Sequence, residues 1–398
     1  MILAGPEPNG AGPSPHVFLI AGEPSGDQIG ALLMRALRAA RPKIRFSGVG
    51  GEAMAREGLA SLFPLGEIAV MGLLPVLARL PRLLRRIDQT ARAAVAASPD
   101  CLVLIDAPDF THRVARRLRR TRPDLPVVDY VAPTVWAWRS GRARAMRAHI
   151  DEVLAVLPFE PEAFRRLDGP ACAYVGHPLV ERLGELTPTP EEAARREAEP
   201  PLLLVLPGSR RAEVARLMPV FGETLAMLAR GSARFDVALP VVPQVEAEIH
   251  AQLSAWPLRP RLLTQAEKYG AFRRARAALT ASGAATLELA LAGVPMAVAY
   301  KVAPVEFLLR FLVEVEHIAL PNLVLGARVA PEFLQQAATP QALAAALAPL
   351  LAGGPEREAQ REGLARLREL VLAGGGRPSE KAAARVLARI DRRPHEPA

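Results

Sequence analysis

LLLVLPGSRRAEV, residues 202–214, is the stretch on which the fold turns. Five consecutive Leu and Val residues stop at a Pro-Gly-Ser turn, and a charged segment with helical spacing follows. A short run that is apolar at every position suits a strand buried on both faces, as in a parallel sheet covered by helices. The turn Gly208-Ser209-Arg210 would open the next helix with backbone N–H groups that can receive an anion, with Arg210 adding charge. Taken alone, it also fits an ordinary helix start with a solvated arginine.

The same unit recurs on either side. Before it come HVFLIA (16–21), IRFSGVG (44–50), CLVLIDA (101–107), PVVDYVA (126–132), EVLAVLP (152–158) and AYVGH (173–177). After it come FDVALPVV (235–242), RLLTQ (261–265), AALTAS (277–282) and PMAVAY (295–300). Amphipathic segments separate these runs, so the expected class is α/β, with two Rossmann-like doubly wound domains and a cleft between them. The domains are expected at 16–180 and 200–373, joined by a hinge near 180–200, where TPTPEEAARREAEPP breaks the pattern. Residues 1–15 read as a disordered extension and 374–398 as a C-terminal helix and tail. Helical segments at 340–352, 355–373 and 379–391 are free to pack on either domain.

Composition narrows the function. The chain has 398 residues, half of them hydrophobic, yet no apolar run approaches the roughly 18 residues of a membrane span. Its Gly- and Pro-rich opening lacks the basic start and apolar stretch of a signal peptide, so a cytoplasmic location is expected. Cys101 and Cys172 stand alone, which argues against a disulfide framework or a thiolate metal site. The net charge of +9 is spread as single arginines and pairs; lysine occurs only at 43, 268, 301 and 381. That pattern suits an anionic membrane face or a phosphorylated substrate better than nucleic acid.

Chemistry is expected just beyond the strands. In TASGAATLE (280–288), Ser282 and Gly283 would offer N–H groups to a diphosphate, and Glu288, about one and a half turns into the helix, would reach ribose hydroxyls. In AGEPSGD (21–27), Asp27 is either a helix cap or an acceptor-binding group. Asp106 in IDAPDF ends a strand as a candidate general base, or as a turn-stabilising Asp. Asp109 reads as an N-cap. Trp136 and Trp138 share a face if VWAWR is extended, although core packing is the commoner use of such a pair. No Walker loop or GxGxxG is present.

AGEPSGD, AVMG, IDAPDF, APTVWAWR, VGHPL, LPGSRRAEV, SGAATLE and LPNLVLG, in this order from about residue 16 to 373, resemble the motif set of the lipid-A-disaccharide synthases, inverting glycosyltransferases of GT-B architecture. The resemblance implies transfer of 2,3-diacylglucosamine from its UDP derivative to 2,3-diacylglucosamine 1-phosphate, with UDP released and a β-1,6 linkage formed. It implies Asp106 as base and Arg210 in the catalytic set. Gly208, Ser209, Ser282, Gly283 and Glu288 would hold UDP, and Ser25, Asp27, Trp136, Trp138 and Asn322 would contact substrate, with no metal or other cofactor. Two positions depart from the pattern: Ala284 replaces the usual threonine after Ser-Gly, and the stretch Glu314 to Glu316 replaces a basic residue. The family also permits a homodimer by C-terminal exchange. A UDP-sugar epimerase of the same architecture and a non-enzymatic binding scaffold are the competing readings.

MGLLPVLARLPRLLRR (71–86) fits this picture. Leu73, Leu74, Val76, Leu77, Leu80, Leu83 and Leu84 recur by threes and fours with arginines between them, as in a helix lying on a membrane surface. A buried helix pair is the alternative. Pro75 and Pro81 are expected to start two short helices with a bend between them. Acylated substrates would give such a patch a purpose, at the cytoplasmic face of the inner membrane.

Overall fold

The apolar runs become two wholly parallel sheets, each of six strands among the described residues. The computed structural model describes residues 14–68, 73–137, 140–231, 234–302 and 316–392, and only the backbone of 73–79. The chain divides into two units, Met1–Pro178 with Gly376–Ala398, and Leu179–Gly375.

In the first unit, β1 (His16–Ala21), β2 (Arg45–Val49), β3 (Cys101–Ile105), β4 (Val127–Tyr130), β5 (Glu152–Ala155) and β6 (Ala171–Tyr174) lie in the order β2-β1-β3-β4-β5-β6. Its helices are α1 (Pro24–Ala40), α2 (Glu52–Arg56), α3 (Leu73–Ala97), α4 (Pro108–Thr121), α5 (Gly141–Met146) and α6 (Glu160–Arg166). All five residues of β3 are buried, which explains the absence of in-out alternation in CLVLI. The order reverses at β1: the chain leaves it for β2 on one side and returns to β3 on the other. Loops leaving β1 and β3 therefore diverge, and such a switch point is where doubly wound sheets bind ligands.

The second unit repeats the plan. Its strands β7 (Leu202–Leu206), β8 (Asp236–Pro240), β9 (Arg261–Leu263), β10 (Ala277–Ala281), β11 (Met296–Tyr300) and β12 (Glu332–Leu334) run in the order β12-β11-β10-β7-β8-β9. The switch point lies between β7 and β10. Its helices are α7 (Leu183–Leu186), α8 (Pro190–Glu197), α9 (Arg211–Arg230), α10 (Glu246–Leu253), α11 (Lys268–Arg274), α12 (Ala284–Leu291), α13 (Leu320–Leu325), α14 (Pro340–Ala352) and α15 (Pro355–Leu372). The last helix, α16 (Pro378–Asp391), belongs to the first unit, where it packs on α1 and β3.

Three expectations are corrected. The polar stretch read as a hinge is folded into the second unit: Thr189 and Glu192 form a reciprocal capping box at the start of α8, and buried Arg196 donates to the carbonyls of Phe272, Ala292 and Gly293. Its charges satisfy backbone acceptors and helix ends, so polarity here marks structure rather than a linker. Second, 73–97 is a single helix that continues through Pro81. Pro75 sits in the first turn, where its missing N–H costs nothing, and the helix beyond Pro81 is held by buried Ile87, Thr90, Ala91 and Ala94. Third, Leu83 is half-buried against the first unit's core instead of facing outward. Leu80 and Leu84 are exposed, at 38% and 36%. The side chains of Leu73, Leu74, Val76 and Leu77 lie outside the described residues.

Candidate active site

In the first unit the switch point is built around Asp106. Strand β3 ends at Ile105, and the next two residues, Asp106 and Ala107, both take left-handed backbone conformations, with φ of +63° and +45°. For residues with a Cβ, each such conformation costs on the order of 1–3 kcal/mol, a cost that concentrates at functional sites. The Thr111 hydroxyl fixes the turn by donating to the carbonyls of Asp106 and Ala107, both at 3.1 Å. Ser25, in the first turn of α1, donates its hydroxyl to Asp106 Oδ2 at 2.9 Å, and the Ala107 N–H donates to Oδ1 at 2.9 Å. Each carboxylate oxygen thus keeps lone-pair capacity for a further donor. Two glycines permit this approach: a Cβ on Gly22 would lie 2.1 Å from that of Ala107, and one on Gly26 would lie 3.0 Å from the Ile105 carbonyl oxygen.

Other first-unit candidates are committed to the fold. Asp27 is buried and accepts from the N–H groups of Gly51, Ala53 and Met54 at 2.7–3.0 Å. It therefore caps α2, whose own N-cap Gly51 has no side chain to do so, rather than its own helix or a substrate. Trp136 is also corrected. Residues 134–137 form a turn, not an extended segment, and the indole is buried edge-on against Phe159, donating to Glu160 Oε1 at 3.2 Å. Glu160 accepts two backbone N–H groups as well, yet burial pushes its carboxyl up to about 7. Trp138 lies outside the described residues. Asp109 is exposed in the first turn of α4 and pairs with Arg142 at 2.7 Å.

In the second unit the two expected turns follow β7 and β10, which pair as neighbours up to Leu206 and Thr280. The turns are less open than their sequences suggest. Glu213, in the first turn of α9, turns its carboxylate toward the backbone of this loop, where Ser209 and Arg210 favour its charge while burial raises its pKa. Its carboxylate thus sits beside the donors expected to face an anion. Gly208 has a φ of +108°, and a Cβ there would come within 2.5 Å of Glu213 Oε2. Arg210 is exposed and leaves its guanidinium as the available cation of this turn. Ser282 is corrected too: its N–H extends the ladder to the Ala299 carbonyl at 3.3 Å, and its hydroxyl donates to the Ile318 carbonyl at 2.8 Å. Gly283 stays open, with no atom within 4 Å of the place a Cβ would take. It leads into α12, whose first N–H groups have no acceptor within the helix.

Glu288, one turn further along α12, accepts from Lys268 Nζ at 2.5 Å and from the Tyr269 hydroxyl at 2.8 Å. Neither partner carries a motif, and at 19 and 20 residues' separation no periodicity points to them. Asn322, expected to touch substrate, is fully buried: its amide donates to the Ala330 carbonyl and to Glu332, and its oxygen accepts from Val329 and Ala330. All its polar capacity is spent closing the loop after α13. Among the described residues, no group of three or more His, Cys, Asp or Glu is placed to hold a metal ion.

Solved structures of similar architecture include MurG of Acinetobacter baumannii, with a TM-score of 0.55 at 15% identity, covering 94% of this chain and 99% of that one. A calicheamicin glycosyltransferase gives 0.58 at 19% identity, covering 96% and 99%. The UDP-GlcNAc 2-epimerase of Neisseria meningitidis, bound to UDP-GlcNAc, gives 0.59 at 13%, covering 94% and 97%. The class defined by this fold is that of the GT-B proteins, with two Rossmann-like domains in one chain. Within it, the family model for lipid-A-disaccharide synthetase matches residues 17–386. The lipid-A-disaccharide synthase of Nitrobacter hamburgensis is 53% identical over 380 residues, covering 95% of this chain and 96% of its own. That of Bradyrhizobium diazoefficiens is 50% identical over 382 residues, covering 95% and 97%. The chain belongs to the lipid-A-disaccharide synthetase family and is a UDP-sugar glycosyltransferase.

Proposed function

We infer that this chain transfers 2,3-diacylglucosamine from UDP-2,3-diacylglucosamine to 2,3-diacylglucosamine 1-phosphate, making the β-1,6-linked lipid A disaccharide 1-phosphate and UDP. The observation that carries this reading is the Ser25–Asp106 pair at the first unit's switch point, in a chain 53% identical to a lipid-A-disaccharide synthase. Asp106 takes the proton of the acceptor's primary hydroxyl as that oxygen attacks the anomeric carbon from the side opposite UDP, which inverts the centre. Ser25 holds the carboxylate in the orientation that receives the proton. In the second unit, Arg210 and the open N-terminus of α12 at Gly283 stabilise the charge that develops on the departing diphosphate. Glu288 receives the ribose hydroxyls. The residues in these roles are all organic donors and acceptors, and the transfer runs without a metal ion.

Both substrates carry acyl chains, and α3 gives the protein a way to meet them. Leu80 and Leu84 are exposed on this helix, as are Arg82, Arg85 and Arg92. Arg86 does not join them: it pairs with Glu67 at 2.7 Å and stacks over Phe63. Three exposed arginines, with no ion pair among the described residues, would each contribute roughly 1 kcal/mol near an anionic surface and support reversible peripheral attachment to the cytoplasmic face of the inner membrane. No helix among the described residues is long and apolar enough to cross a membrane.

The test is incubation with donor and acceptor in detergent micelles containing EDTA, following disaccharide and UDP together. Stoichiometric disaccharide and UDP support the reading. UDP released without disaccharide, or no turnover by folded protein, refutes it.

A further inference from the structure

We propose that Lys268 and Tyr269 are positioning residues for nucleotide recognition: together they set the Glu288 carboxylate to receive the ribose diol of the UDP moiety. The proposal rests on the reading of Glu288 as the ribose acid and adds the two residues that give that acid its orientation. Each takes a different oxygen, Lys268 binding Oε2 at 2.5 Å and Tyr269 binding Oε1 at 2.8 Å. A carboxylate has about four lone-pair sites, so one remains on each oxygen. Two adjacent acceptors of this kind match the two vicinal hydroxyls of a ribose.

The surroundings hold both donors in place. The Lys268 ammonium lies over the rings of Tyr269 and Phe272, at 5.1 and 5.4 Å. The Arg182 guanidinium also lies over the Tyr269 ring, at 4.7 Å, and Tyr269 meets Phe272 edge-on. Burial and the neighbouring Glu288 charge push the phenol's pKa up, so it remains a donor throughout the working range. The side chains of Lys268 and Glu288 keep only 18% and 11% of their exposure, enough for contact with a ligand but too little for free rotation. Spacing fits the ligand as well. Glu288 lies five residues beyond Gly283, roughly 7.5 Å along a helix axis, so a nucleotide with its diphosphate at the helix start would run its ribose alongside the carboxylate.

The test compares binding of UDP, 2′-deoxy-UDP and 3′-deoxy-UDP by calorimetry to the full chain and to Tyr269→Phe, Lys268→Met, Lys268→Arg and Glu288→Gln. The proposal expects Tyr269→Phe and Lys268→Met to weaken UDP roughly 3- to 10-fold, the value of one or two hydrogen bonds, while the deoxy analogues change little. The preference for UDP over its deoxy forms then collapses, and Lys268→Arg restores it. Equal weakening of all three ligands would mean a merely structural role and would overturn the proposal. So would a preserved preference in Tyr269→Phe and Lys268→Met when Glu288→Gln has lost it. If Glu288→Gln itself keeps the preference, the ribose reading of Glu288 falls, and the proposal with it.

Discussion

At the scale of the residue, what decides function is how a polar atom is spent. Asp27, Asn322 and Asp106 all belong to motifs of the family pattern, yet buried Asp27 accepts three backbone N–H groups and Asn322 has every donor and acceptor engaged inside the fold, whereas half-buried Asp106 keeps capacity on both oxygens in a strained turn. Sequence motifs cannot separate these cases, because a buried cap and a catalytic carboxylate are the same residue type in the same kind of loop. Ser25→Ala should lower kcat several-fold to about tenfold with little change in KM, since the lost bond orients the base without binding sugar. A steady-state comparison with wild type checks this; a change confined to KM would contradict it. Glu160 gives a pH signature. Its folded pKa of about 7 lies above the usual 4.5, so the native state binds the extra proton. Its contribution to stability is full below about pH 4.5 and is lost as pH rises through about 7, up to about 3 kcal/mol. Denaturant melts between pH 4.5 and 7.5 should show that slope in wild type and a flatter one in Glu160→Gln.

Elements were more legible than residues. Eleven strands are readable as short apolar runs bounded by Gly and Pro, and the central ones, buried on both faces, need no alternation to announce them. Among the described strands, Glu332–Leu334 alone gives no such signal, being three residues long and lying directly after Pro331. The C-terminal helices fall at their expected places, since caps and breakers such as Thr339-Pro340 and the GGG at 374–376 mark them plainly. Helix α3 shows the limit of periodicity. A stripe of leucines and arginines is equally compatible with a core and a membrane face, and the structure divides it, with Leu83 turned inward and Leu80 and Leu84 outward. Leu80→Glu with Leu84→Glu should therefore cost under about 1 kcal/mol of stability, as exposed positions do. The same pair should markedly reduce sedimentation with anionic vesicles. Unchanged vesicle binding would remove α3 from the membrane-facing surface.

At the scale of the whole molecule, two sheets with different strand orders each present one switch point, and the residues bearing the proposed chemistry cluster at both. The chain passes from the first unit to the second at Pro178 and returns at Gly376, so the first unit is completed only by the last helix. That return is anchored by a buried charge. Glu152 on β5 receives Arg385 and Arg389 of α16, with both Nε atoms at 2.6 Å from its oxygens. Composition gave no hint of this, because a buried glutamate and two arginines 233 and 237 residues away look like surface charge in a chain already rich in both.

The role of Asp106 as base of an inverting glycosyl transfer is tested by comparing wild type with Asp106→Ala for disaccharide formation while UDP binding is followed by calorimetry. The predicted result is a loss of at least about 100-fold in kcat with UDP affinity unchanged, because the base acts from the first unit and UDP is held by the second. Disaccharide formed by Asp106→Ala at close to the wild-type rate would contradict it.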